Sequence, residues 1–119
     1  MKLIIAGGRD YEFSGHDYAA LDSLHAKFGF TEIVSGGCTG ADKCGERWAA
    51  LNEIPVKQFN ADWSQGRCAG PIRNQKMAAY ANACICFPGG AGTDSMADIA
   101  RDVYINSDVF MFWDFRGAE

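Results

Sequence analysis

Five short apolar runs, separated by stretches whose apolar residues recur at helical spacing, constrain this chain more than any other feature. The runs are KLIIAG (2–7), TEIVSG (31–36), IPVKQF (54–59), ACICFP (83–88) and VFMFW (109–113). Each has the length of a strand. Between them, Tyr18, Leu21, Leu24, His25 and Phe28 form one helical stripe. Ala41, Cys44, Trp48 and Leu51 form a second, and Met96, Ile99, Ala100, Val103 and Tyr104 a third. PIRNQKMAAYAN (71–82) is a weaker helix, with Pro71 suited to its first position. The order βαβαβαβαβ implies a parallel sheet covered on both faces. The expected fold is therefore α/β, a Rossmann-like three-layer sandwich of about five mostly parallel strands. At 119 residues the chain fits one domain, 1–119.

Helix starts are marked. Ser14 with Asp17 three positions on reads as a capping box. Thr93 reads as the N-cap of the last helix, and Asp42 falls in the first turn of the second, where the helix dipole favours a carboxylate. NADWSQGRCAG (60–70) is the longest irregular stretch. In VFMFW, alternation sets Val109, Met111 and Trp113 against Phe110 and Phe112. An apolar edge strand of this kind favours a homo-oligomer.

Glycine falls at strand ends: AGGRD (6–10), SGGCTGAD (35–42) and PGGAGT (88–93). In a parallel sheet these ends share one edge, beside the switch point where such folds bind ligands. Two of the loops run into helix N-termini, whose unbonded amides and dipole suit an anion. Glycine lets backbone approach a phosphate. The pattern is neither G-x-G-x-x-G after the first strand nor a P-loop, which disfavours an NAD(P) dehydrogenase or an ATPase.

Polar residues collect at the same edge. Arg9 is placed to clamp a phosphate, and Asn74 to read a base or ribose hydroxyl, each weighed against an ordinary loop or cap role. Arg73 lies beside Asn74 at the start of the third helix. Ser35 and Thr93 offer hydroxyls, and Trp63 offers a stacking face or lid, weighed against half-buried packing. Asp10, Asp42 and Asp94 are the nearest carboxylates; His16 and His25 lie in a helix-start loop and on a helix stripe. No Ser-His-Asp, Cys-His or paired-carboxylate set is visible.

Hydrophobic residues are 48% of the chain, as in an ordinary globular protein, and no run approaches the roughly 18 needed to cross a membrane. The apolar start is too short for a signal peptide. The net charge of −4 does not attract nucleic acid or an anionic membrane. Five cysteines, none in C-x-x-C spacing, give no metal set or disulfide framework. Cys84 and Cys86 read as small buried residues, and reduced thiols point to the cytoplasm. No cofactor is expected.

Together, GGRDY (7–11), SGGCTGADKCGERWA (35–49), ADWSQGRCAGPIRNQKM (61–77) and FPGGAGTDSM (87–96) resemble the YspA-like branch of the SLOG superfamily, named from Smf/DprA and the LOG enzymes. The resemblance extends from Met1 to about Tyr104. It implies a Rossmann-like fold that binds nucleotides or nucleotide-derived ligands at the glycine-rich edge. Its branches include phosphoribohydrolases, sensors of NAD-derived signals and single-stranded DNA binders; the YspA-like branch is associated with NAD- or ADP-ribose-related ligands. Carried over by position, Gly7, Gly8 and Arg9 match the first motif, and Ser35, Gly36, Gly37, Gly40, Ala41 and Asp42 the second. Gly70, Pro71, Arg73 and Asn74 match the third, and Pro88, Gly89, Gly90, Gly92 and Thr93 the fourth. The hydrolytic LOG enzymes extend the last loop to PGGxGTxxE and pair its glutamate with an upstream arginine, to which Arg73 corresponds. Here that glutamate position is Met96, which can take no proton. Three readings follow: a binding module for a phosphorylated nucleotide derivative, a hydrolase using Arg73 and Asp94 or Asp98, and a single-stranded DNA binder that the acidic balance disfavours.

Overall fold

Alternation within the first strand sets the layers of the fold. In β1 (Lys2–Ala6), Leu3 and Ile5 enter one apolar cluster, and Ile4 and Ala6 the other. The computed structural model describes residues 1–37 and 40–117, so Cys38 lies outside the described residues. The remaining strands are β2 (Glu32–Ser35), β3 (Val56–Gln58), β4 (Ala83–Cys86) and β5 (Met111–Asp114), and every pairing is parallel. They form one sheet in the order β3-β2-β1-β4-β5. Helices α1 (Gly15–Phe28) and α2 (Ala41–Leu51) supply Leu21, Trp48 and Ala49 to one face. Helices α3 (Ala69–Tyr80) and α4 (Ala91–Ile105) supply Met77, Ala78, Met96, Ala97 and Ala100 to the other. This is a Rossmann-like α/β sandwich.

Local chemistry explains most boundaries. Ser14 Oγ accepts from Asp17 N at 3.2 Å while Ser14 N donates to Asp17 Oδ2 at 2.9 Å, a complete capping box for α1. Asp42 stands in the first turn of α2. Cys84 and Cys86 are fully buried, with their sulfurs 3.7 Å apart, and burial raises the Cys84 thiol well above its usual range. Among the described residues the four cysteines are free thiols, and no helix is long and apolar enough to cross a membrane.

Five expectations need correction. Helix α4 begins at Ala91 with Gly90 as its cap, so Thr93 is inside the first turn and not the N-cap. Helix α3 begins at Ala69, because a 3-10 helix over Trp63–Cys68 feeds straight into it; Pro71 is then the third helical residue, and Arg73 and Asn74 lie beyond the first turn. The same 3-10 helix occupies the stretch expected to be irregular. Leu51 is 83% exposed, since α2 is leaving the sheet at its last residue, and Tyr104 is exposed likewise. In the β5 run, Met111 and Trp113 join one cluster and Phe110 and Phe112 the other, while Val109 precedes the strand and is exposed.

Candidate functional site

With β1 at the centre and the chain crossing from β3 to β4, the switch point lies between the C-terminal ends of β1 and β4. A cavity of about 580 Å³ opens there. Its floor is apolar: Ile5 and Ala6 from β1, Met77 from α3 and Met96 from α4. Around it stand Gly7, Gly8 and Arg9 after β1, and Gly36 and Asp42 around the start of α2. The 3-10 helix gives Trp63 and Arg67, and α3 gives Gly70, Pro71, Arg73 and Asn74. Helix α4 completes the wall from Gly90 through Thr93 to Ser95.

The glycines divide into two classes. Gly7, Gly8, Gly40 and Gly89 knit the loops to one another. A methyl at Gly89 would lie 2.3 Å from Thr93 Oγ1 and 2.6 Å from Gly8 N, and one at Gly8 would lie 3.0 Å from Gly89 Cα. Gly40, at φ 67°, presses on the carbonyls of Gly8 and Arg9, where any side chain would collide. Gly8 N donates to Pro88 O at 2.9 Å and Ala41 N donates to Gly8 O at 3.1 Å. The first amide of α2 is thereby consumed by its neighbour loop. Gly90 and Gly92 differ: a methyl at either would meet nothing within 4 Å, and both line the cavity. The first turn of α4 has no side-chain cap among the described residues. The uncapped first turn of α4 opens on the cavity.

Several expected site residues hold the rim from behind it. Ser35 Oγ donates to Glu46 Oε2 at 2.7 Å and accepts from Gly37 N at 3.1 Å, so Ser35 and Gly37 belong to a turn that leaves the cavity wall. Gln58 Nε2 donates to the same Glu46 oxygen at 2.9 Å. Burial pushes the Glu46 carboxyl up, but bonds from Ser35, Gln58 and Lys43 prevail and hold it below its usual value. Pro88 offers its carbonyl to Gly8, and Gly89 backs onto Gly8; neither lines the cavity.

Arg73 and Asn74 act as a brace. Arg73 Nη1 donates to Gly36 O at 3.0 Å and Phe59 O at 3.3 Å, and Nε donates to Asn74 Oδ1 at 3.0 Å. Asn74, only 4% exposed, donates to Gly92 O and Ser95 Oγ, both at 3.4 Å. The pair ties the ends of β2 and β3 to the first turn of α4. Asp94 is not in the cavity wall: it accepts from Arg116 Nη1 at 2.8 Å, outside the rim. Tyr11 supports the first loop from outside. Its hydroxyl donates to Asp17 Oδ2 at 2.5 Å, and burial followed by this bond pushes its pKa up to about 12.

Sequence reasoning missed Arg67 and Ser95 in the wall. Arg67 had a signal, four residues after Trp63 in WSQGRC, hidden by reading that stretch as irregular. Among the lining side chains three guanidiniums, from Arg9, Arg67 and Arg73, face one carboxylate, from Asp42. The cavity is thus cationic on a chain of net charge −4.

Fold and rim define a doubly wound α/β protein with a cleft at its switch point. The chain belongs to the YspA, cpYpsA-related SLOG family, whose model matches residues 1–66. It is also 35% identical over 98 residues to the gene 61 protein of Mycobacterium phage D29, an alignment covering 75% of this chain and 78% of the relative.

Proposed function

We propose that the chain binds a phosphorylated nucleotide-derived small molecule, of the ADP-ribose, NAD-related or cyclic-nucleotide class, and acts as a sensor or sequestering module. The observation that carries this reading is the open first turn of α4 in a cleft of about 580 Å³ that the guanidiniums of Arg9 and Arg73 also line. A phosphate seated there meets amides, a helix dipole and cationic side chains together. The apolar floor suits a base or ribose face. Gly90 and Gly92 are the residues past which a phosphate approaches the backbone. Family membership supports a nucleotide-related ligand without naming it. Free thiols among the described residues agree with a reducing, cytoplasmic setting. Self-association at the α4–β5 corner belongs to the same reading, on the exposed Tyr104, Ile105 and Val109, and size-exclusion chromatography reads it.

Hydrolysis of an N-glycosidic bond is the alternative, and it loses support from two residues. Asp94 is engaged by Arg116, and Met96 fills the position where LOG enzymes carry glutamate. Asp42 is the one carboxylate among the cavity-lining residues, so a hydrolase would have to use it. Incubation with ADP-ribose, NAD and AMP, followed by denaturation and chromatography, separates the two. Ligand recovered intact supports binding; released base supports hydrolysis; no retention of any of the three defeats the nucleotide reading.

A further inference from the structure

The cavity wall has two mechanically different parts. The floor is buried, and the loops of the rim are tied to one another by the Gly8–Pro88 and Ala41–Gly8 hydrogen bonds. The remaining side is the 3-10 segment Trp63–Cys68, none of whose residues is buried. Two of its side chains line the cavity, Trp63 and Arg67. Trp63 is 58% exposed, an unusual position for an indole unless something covers it. Its ring lies against the start of α3, with Cη2 3.6 Å from where a methyl at Gly70 would stand. Between the two side chains sits Gly66, at φ 76° and ψ −148°, where the helical run breaks. Nothing lies within 4 Å of the place a side chain would take there. The segment is held at its start by Asp62, whose Oδ1 accepts from Ser64 N at 3.2 Å and Ser64 Oγ at 2.5 Å, and at its end by α3.

We propose that Trp63 and Arg67 form a jaw that closes on the ligand by rotation at Gly66. The indole stacks on the base, and the guanidinium takes a phosphate oxygen on the side opposite the first turn of α4. This rests on the nucleotide reading above and adds to it Arg67 as a binding residue and a ligand-driven movement. Closure covers an exposed aromatic face and sets a cation against a phosphate in a drier cleft, so both contacts strengthen as the segment comes down. The closed and open forms present different surfaces beside α3, which is what a sensor needs from its ligand.

The test uses the whole chain with ADP-ribose as the probe. Trypsin cleaves after Arg67 only when the segment opens, so saturating ADP-ribose slows cleavage at Arg67–Cys68, read by mass spectrometry, about tenfold or more. Trp63→Ala and Arg67→Ala each weaken calorimetric affinity for ADP-ribose about tenfold or more. Because the segment buries no residue, both variants keep the wild-type melting temperature. ADP-ribose binding with unchanged cleavage and unchanged affinity in both variants overturns the jaw and leaves the cleft standing. No binding of ADP-ribose, NAD or AMP overturns the cleft reading and the jaw with it.

Discussion

At the level of single residues, adjacent glycines do different work, and substitution tells them apart. Gly89 stands where a methyl would meet Thr93 Oγ1 at 2.3 Å and Gly8 N at 2.6 Å, so Gly89→Ala must displace one of two packed loops. It is expected to lower stability by about 1–3 kcal/mol in denaturant unfolding. Gly90 has an ordinary φ of −99° and open space beside it. Gly90→Val is expected to cost under about 1 kcal/mol of stability, as an N-cap change does. Gly90 lines the cleft, so the added side chain should abolish calorimetric binding of ADP-ribose. Equal loss of stability in the two variants would remove the distinction between rim-knitting and ligand-facing glycines. Arg9 lines the cavity directly after the glycine pair. Arg9→Ala is expected to weaken ADP-ribose binding by about 1.5–3 kcal/mol, the worth of a charge-assisted bond to phosphate. Unchanged affinity would take Arg9 out of the site.

Among the elements, α2 carries a polar anchor that the sequence did not reveal. Glu46 on α2 accepts from Ser35 at the end of β2 and from Gln58 at the end of β3, so one carboxylate joins a helix to two strands. Its pKa is depressed in the fold. The stability it contributes is therefore present above its ordinary value near 4.5 and is lost as pH falls through the lower folded value. Glu46→Gln is expected to cost roughly 1–2 kcal/mol in denaturant unfolding at neutral pH, and the gap from wild type should narrow at about pH 3. A gap that widens on acidification would reverse the assignment. The elements themselves were legible because strands and helices announce themselves by period: Leu3 and Ile5 against Ile4 and Ala6 give the two faces directly. Boundaries were less so. Thr93 looked like an N-cap because hydroxyls usually cap helices, but the open turn at Gly90 starts α4 three residues earlier. Trp63–Cys68 has no apolar periodicity, since a 3-10 segment that buries nothing leaves none, and Arg67 went unnoticed with it. The site was legible as an edge, from the placement of the glycines. It was not legible as a division of labour: that Ser35 would be drawn to Glu46, or Asn74 to Gly92, depends on partners far along the chain.

For the molecule as a whole, the cleft sits where the two halves of the sheet meet. Residues from β1, the start of α2, the 3-10 helix, α3 and α4 all line it, and Arg73 and Asn74 already bind the β2 and β3 ends to α4. An anion bound there touches elements from both faces and both directions of the sheet, so it cannot be retained by a locally opened form. Its binding energy should then appear in global unfolding. At a ligand concentration about a hundredfold above Kd, mass action adds about 2.7 kcal/mol to the folded state. For a chain of this size that is a rise in melting temperature of roughly 8–13 °C. ADP-ribose at saturation is expected to give this shift as one displaced transition, with Arg9→Ala showing a smaller one at the same concentration. Glu46→Gln, which touches no cavity residue, should start lower and rise by the same amount. A ligand that binds by calorimetry yet leaves the transition in place would mean that it sits on a part of the surface able to unfold or detach alone, and the switch-point cleft would not be its site.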